Sequence, residues 1–172
     1  ASAVAASSPA LIAGYYFSTP SLRFAYSSMT PPAEIYDYDM ASRQRTLRKR
    51  HEIPSGHDPA DYITTRIMVA SHDGAEVPVS ILHRRDFVAD GTAPLLLYGF
   101  GSYGLSMPAF FAANRLALVD RGFVYAIAHR RGGADKGWAG YPDGQRAKKT
   151  KTPHDTAPPS PPPGAGETHP AN

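Results

Sequence analysis

The sequence predicts an α/β protein: a mixed sheet with an antiparallel edge and parallel βαβ winding, preceded by a short all-β stretch. Three observations carry this. Residues 62–83 alternate as two strands about an Asp73-Gly74 hairpin turn. Residues 94–128 read strand, helix, strand, the order that winds a parallel pair. Residues 22–48 hold three short period-two stretches with polar turns between them.

Taken in order, residues 1–20 are rich in Ala, Ser and Pro and predict only a short strand near Tyr15-Tyr-Phe17. The opening Ala1-Ser-Ala-Val-Ala-Ala-Ser-Ser-Pro9 has small residues, but no charged n-region and no apolar h-region. It therefore reads as the cut edge of a longer chain rather than a signal peptide. Leu22, Phe24 and Tyr26 then alternate with Arg23, Ala25 and Ser27 as a half-buried strand. After the Thr30-Pro-Pro32 turn, Ile35-Tyr-Asp-Tyr-Asp-Met40 sets Tyr36, Tyr38 and Met40 on one face. A third strand falls around Thr46-Leu-Arg48. Such short antiparallel strands suit a sandwich, a barrel or a propeller blade, and alone they are too small to bury a core. The basic run Arg43, Arg45, Arg48, Lys49 and Arg50 has no interleaved aromatics. It reads as the solvated side of an edge strand, not a nucleic-acid patch.

Ile53-Pro-Ser-Gly-His-Asp-Pro59 is a connector and the best domain boundary in the chain. In the hairpin that follows, Val77, Val79 and Ile81 point inward. Pro94-Leu-Leu-Leu-Tyr98 reads as a short buried strand that runs into three glycines. Ser106 is placed to cap a helix with Pro108 in its first turn. Phe110, Phe111, Leu116, Leu118 and Val119 continue at helical spacing until Gly122 stops it. Phe123-Val-Tyr-Ala-Ile-Ala128 is a second buried strand. Periodicity fades from Trp138. Arg146-Ala-Lys-Lys-Thr-Lys151 is a further basic run, read as solvated. Residues 153–172 carry seven prolines and almost no large apolar side chain, so they cannot offset their ordering entropy.

With 172 residues, 42% hydrophobic, the chain can form one ordinary domain or parts of two. It has no cysteine, which rules out disulfides and favours a reducing, cytoplasmic setting. Its net charge of +3 is too small to predict nucleic-acid binding. No apolar run reaches the roughly 18 residues of a membrane span. The seven histidines are scattered, without an H-E-x-x-H or a close ligand pair, so neither a metal site nor any other cofactor is predicted.

Two motifs compete for the glycine loop. Gly99-Phe-Gly101-Ser-Tyr-Gly104 matches G-x-G-x-x-G after a strand, and Arg130-Arg131 ends the next strand where a 2′-phosphate would sit. Against a nucleotide site, Leu-Ser-Met-Pro separates the loop from the helix, a hairpin precedes the strand, and no acid ends the following strand. A non-catalytic nucleotide-binding module is the alternative reading of the loop at residues 99–104. The nearest approach to a G-x-S-x-G nucleophile elbow is Gly104-Leu-Ser106-Met-Pro108, which its proline breaks.

Several longer stretches point further. They are Leu22-Arg-Phe-Ala-Tyr-Ser-Ser-Met-Thr-Pro31, Tyr62-Ile-Thr-Thr-Arg-Ile-Met68 and His72-Asp-Gly-Ala-Glu-Val-Pro-Val-Ser80. Leu96-Leu-Tyr-Gly-Phe-Gly-Ser-Tyr-Gly104, Leu118-Val-Asp-Arg-Gly-Phe-Val-Tyr-Ala-Ile-Ala-His129 and Arg131-Gly-Gly-Ala-Asp-Lys-Gly137 follow in order. With them, residues 20–150 resemble the prolyl oligopeptidase family of serine peptidases, and within it oligopeptidase B. The resemblance implies that residues 1–50 are the terminal strands of a β-propeller and 51–150 the first half of an α/β-hydrolase sheet. Residues 151–172 are then a disordered proline-rich tail. It also implies a Ser–Asp–His peptidase that cuts short peptides after basic residues. In the family the triad and the acidic specificity residues lie downstream, so no catalytic residue of that set is in this chain. The segment is expected to be an incomplete piece, inactive alone; a half-domain that associates with a separately encoded complementary half-domain is a further reading.

One contributor should fall within it, a loop tyrosine whose hydroxyl donates to the oxyanion. The family reads Tyr-Gly-Tyr-Gly where this chain has Tyr98-Gly99-Phe100-Gly101. Phe100 has no hydroxyl, so that donor is lost. Tyr103 matches a position lining the substrate pocket. Past the tryptophan, the family's Asn-Thr-Phe-Asp-Asp-Phe-like segment is replaced by Lys149-Thr-Lys-Thr-Pro-His-Asp155, which reads as a reading-frame change or a degraded gene end.

Overall fold

The first sheet is an antiparallel meander of β1 (Ser7–Ile12), β2 (Ser21–Ser28), β3 (Glu34–Asp39) and β4 (Arg45–Arg50), paired in that order, with polar and apolar side chains alternating in β2 and β3. The computed structural model describes residues 7–12, 14, 16 and 18–156. Tyr15 and Phe17, which the sequence predicts in a strand, lie outside them. The first strand is β1, whose Pro9 suits an edge position because it has no N–H to donate. On one face of the meander Phe24 stacks on Tyr36, their ring centroids 5.5 Å apart. On the other, Arg23 and Arg48 converge on Asp37 at 2.6 and 2.7 Å; on the Tyr36 face, Arg50 reaches Glu34 at 2.7 Å. The basic run is thus matched in part by the acids of β3, and β4 is an exposed edge strand. The hydrogen bond from Arg23, helped by Arg48, holds the Asp37 carboxyl at about 2.

The second sheet holds β5 (Tyr62–Ala70), β6 (Glu76–Arg84), β7 (Leu95–Phe100) and β8 (Val124–His129), in the spatial order β5-β6-β8-β7. β5 and β6 form the antiparallel hairpin from Tyr62↔Arg84 to Ala70↔Glu76, with Gly74 at φ 78° in its turn. β8 pairs antiparallel with β6 and parallel with β7, from Leu95↔Val124 to Phe100↔His129. The crossover carries α1 (Ala113–Val119), which buries Leu116 and Val119 against Leu82, Tyr125 and Ile127. Val79, Ala126 and Ala128 cluster on another side. β6 and β8 are therefore central strands buried on both faces, which their near-continuous apolar runs allow.

Two expectations change here. The leucines of β7 are not buried. Leu95 is 59% exposed and Leu96, Leu97 and Tyr98 are each about two-fifths exposed, because β7 is an edge strand whose only neighbour among the described residues is β8. Ser106 does not cap the helix either. The helix starts at Ala113 with Ala112 as an N-cap that makes no side-chain hydrogen bond. Residues 105–112 stay outside helix and strand, and Met107, Ala109 and Phe111 pack onto the core from there.

The two sheets share contacts. Met29, from the turn after β2, is buried in the core cluster of the second sheet. The Phe111 N–H donates to Ser27 Oγ at 3.1 Å. His57 Nε2 lies 2.6 Å from the Thr30 carbonyl, and its ring stacks on Tyr62 and meets Phe111 edge-on. The Tyr62 hydroxyl donates to Asp120 at 2.7 Å; burial first, and then this carboxylate, pushes it up to about 12. After β8 the chain makes three single-turn 3-10 helices (Trp138–Gly140, Pro142–Gly144 and Arg146–Lys148) and then α2 (Lys151–His154). The segment expected as a tail from residue 151 thus opens with a helical turn, and residues 157–172 lie outside the described residues.

Candidate active site

The parallel pairing of β7 with β8 brings two strand ends side by side, Phe100 opposite His129. The chain beyond β7 folds back over residues 130–133. Gly104 N–H donates to the Gly132 carbonyl at 3.0 Å, and Tyr103 and Gly104 take φ of 60° and 68° to make the turn. Strand C-terminal ends are where α/β sheets place their chemistry.

Each sequence-predicted residue has a defined place in this loop. Gly99 and Gly101 are required for close approach. A Cβ at Gly99 would meet the Arg130 guanidinium at 2.7 Å, and one at Gly101 would meet the Thr152 methyl at 2.6 Å and the Arg131 carbonyl. Their carbonyls are capped by cations: Arg130 donates to Gly99, and Lys149 donates to Gly101. Phe100 is half-buried and brings a ring with no donor. Tyr103 stands 81% exposed at the tip. The loop glycines are thus filled by protein side chains and backbone, not left open as a phosphate cradle.

Two hydroxyl–base pairs lie near the loop. Ser80 Oγ is 2.9 Å from His129 Nε2, and His129 Nδ1 is 2.9 Å from Asp135 Oδ1. A carboxylate only accepts, so Nδ1 donates to Asp135 and Nε2 is left to accept the serine proton. The order of groups is that of a Ser–His–Asp relay, formed by residues 49 and 6 positions apart. It does not reach a substrate. Ser80 sits on central strand β6 at 0% exposure, whereas a reacting carbonyl must come within about 3–3.5 Å of the nucleophile. The trio satisfies the Ser80 hydroxyl and both ring nitrogens of His129, while Asp135 Oδ2 keeps no partner among the described residues. In the second pair, Lys149 Nζ donates to Ser102 Oγ at 2.7 Å as well as to Gly101, so it serves as a donor rather than a base.

The residues that hold the loop include several that the sequence reading passed over. Asp155, its side chain 0% exposed, accepts from the Arg131 backbone N–H at 2.9 Å, from the Arg131 guanidinium at 2.6 Å and from Ser71 Oγ at 2.9 Å. Arg131 also reaches Asp73 in the β5–β6 turn at 2.6 Å. Burial alone would raise the Asp155 carboxyl; the hydrogen bonds and charge of Arg131 keep it below its ordinary value. The same partner lowers Asp73 and is itself raised, its hydrogen bond to Asp155 being the largest cause. Thr152 donates to the Arg131 carbonyl at 2.8 Å. The stretch read as a reading-frame change is therefore used by the fold. Within residues 151–156, Thr152 and Asp155 are the two whose side-chain oxygens are buried and bonded. No local periodicity in the sequence marks either of them.

No family model matches the chain. Among curated proteins it is similar to dipeptidyl aminopeptidase BI of Pseudoxanthomonas mexicana, 42% identical over 132 residues, covering 76% of this chain and 18% of that protein. Among solved structures it resembles oligopeptidase B from Leishmania major, with a TM-score of 0.79 and 33% identity over 87% of this chain and 21% of that one. Oligopeptidase B from Trypanosoma brucei, solved with covalently bound antipain, gives a TM-score of 0.80 and 33% identity over 87% and 22%. The chain thus spans about a fifth of the length of the proteins it matches.

Proposed function

Because the chain belongs to the prolyl oligopeptidase family, we propose that it forms the propeller-to-hydrolase junction of a serine-type peptidase acting in the cytoplasm on short peptides, cutting after basic residues. In this reading the four-stranded meander is the end of a propeller, whose blades have four antiparallel strands. The second sheet is the opening half of a hydrolase domain, taken as residues 51–150, with the connector at residues 53–59 at its start. Residues 99–104 are the oxyanion edge, with Tyr103 at the substrate pocket. By itself this stretch does not cleave peptides.

The observation that carries the reading is a strand-end loop built as a catalytic edge and yet facing no accessible serine–base pair among the described residues. Phe100 adds to it by supplying a ring in place of a donor. The experiment is hydrolysis of an arginyl peptide amide by the purified 172-residue chain, alone and co-expressed with the remaining hydrolase half of a relative such as dipeptidyl aminopeptidase BI. No turnover alone and turnover on co-expression are expected. Turnover by the chain alone would sink the inactive reading, and failure with a complete complement would sink the peptidase one. The exposed apolar edge of β7 favours the complement reading, because an unpaired strand of leucines is a template for a further strand.

The nucleotide alternative is less well supported. The carbonyls and Cβ positions of Gly99 and Gly101 face Arg130, Lys149 and Thr152, and α1 starts only at Ala113, leaving no helix N-terminus on the loop.

A further inference from the structure

The second basic run does not behave as a uniform solvated face. Lys148 pairs with Asp143 at 2.9 Å and Lys151 lies 3.6 Å from Asp73. Lys149 and Arg146 have no carboxylate within salt-bridge distance among the described residues. Both line one cleft of about 270 Å³, between the glycine loop and the segment from Tyr141 to Lys149. Ser102, Tyr103, Tyr141 and Gln145 complete its polar wall, and no acidic side chain lines it. The cleft is a built feature. Gly132, at φ 95°, lets its floor close, since a Cβ there would strike the Gly101 carbonyl. Tyr103 and Arg146, two of the three non-glycine residues with positive φ among the described residues, both line it. Left-handed backbone at such residues is strained and gathers at binding sites.

We propose that this cleft binds a carboxylate, namely the C-terminal carboxylate of a short peptide. The donor count fits an anion. An ammonium has three donors, and Lys149 spends two on Gly101 and Ser102, leaving one for a ligand. Ser102 accepts from Lys149, so its own proton is available to an oxygen in the cleft. The Arg146 guanidinium makes no hydrogen bond among the described residues, and its planar fork matches a carboxylate in a bidentate pair. The volume holds little more than one terminal residue, and the Tyr103 and Tyr141 rings offer that residue an apolar wall. The choice of a peptide over another oxyanion rests on the peptidase reading. The site itself is an equilibrium binding site that needs no catalysis, so it can fail or stand independently of that reading.

The test is calorimetric titration of the purified chain with tri-alanine as free acid, with tri-alanine amide and with inorganic phosphate, at low ionic strength. The free acid is expected to bind at least tenfold more tightly than the amide. Arg146→Gln and Lys149→Gln should each weaken it several-fold, while Lys151→Gln, whose lysine sits by Asp73, should leave it unchanged. Arg146 is exposed and its guanidinium has no partner among the described residues, so its variant keeps the comparison valid if Lys149→Gln loosens the loop. Equal binding of acid and amide, or an unaffected Arg146→Gln, overturns the proposal. Phosphate binding that the free-acid peptide does not displace also overturns it, assigning the cleft to a small inorganic anion.

Discussion

At the scale of single residues, the candidate site rests on Arg131 and Asp155 more than on the glycines that advertise it. One guanidinium ties the end of β8 to the β5–β6 turn through Asp73 and to the C-terminal end of α2 through Asp155. Removing one partner of a buried ion pair leaves the other uncompensated, at a cost of about 3–5 kcal/mol. Asp155→Ala should therefore lower the urea midpoint strongly with an unchanged slope. The Asp155 carboxyl sits below its ordinary value in the folded protein. Its contribution is present above the unfolded value near pH 4 and is lost as pH falls through the lower folded value. Melting temperatures below pH 4 should accordingly drop more for the parent than for Asp155→Asn; parallel curves would disprove the assignment. The Ser80–His129–Asp135 trio teaches the converse at this scale. Residue types and hydrogen-bond order alone do not make a nucleophile, because a serine at 0% exposure on a central strand has no route to a substrate.

At the scale of elements, β7 is the part least at peace with its surroundings. Its Leu95-Leu-Leu-Tyr98 run has the composition of a strand buried on both faces, but β8 supplies its only neighbour among the described residues. An edge of this kind pairs with whatever strand is offered. The purified chain should self-associate at rising concentration through this edge. Leu95→Lys, at the most exposed leucine of the run, should shift the sedimentation profile toward monomer with the far-ultraviolet spectrum kept. An unchanged profile would place the association elsewhere. The contrast with β4 is instructive. That strand is also an edge, but its arginines are partly matched by Asp37 and Glu34 and blunt it.

At the scale of the whole molecule, the two sheets are coupled by Met29, buried in the core of the second sheet though it leaves the first, and by His57 between Thr30, Tyr62 and Phe111. Urea unfolding followed by Trp138 fluorescence and by circular dichroism should give coincident transitions. Met29→Ala, at a cost of about 2–5 kcal/mol, should separate them. Transitions already separate in the parent would mean two independent units.

Much of this was legible in advance because period and turn chemistry are local. Seven of the eight strands, the hairpin about Gly74 and the strand–helix–strand order follow from alternation and glycine placement, and the family resemblance follows from runs that survive intact. β1 was missed because alanine, serine and proline carry no alternation. The start of α1 was misplaced because Ser106 and Pro108 make a plausible cap whose neighbours instead pack into the core as irregular chain. By itself the sequence determined the order of elements, the glycine loop after β7 and the phenyl ring in place of a hydroxyl at Phe100, since each is written in contiguous residues. Only the tertiary structure decided that β7 is an edge, that Ser80 is sealed, that Asp155 anchors the loop and that Lys149 and Arg146 share a cleft without a counter-charge. Burial and ion pairing depend on residues dozens of positions apart, and only sheet order and chain return bring them together.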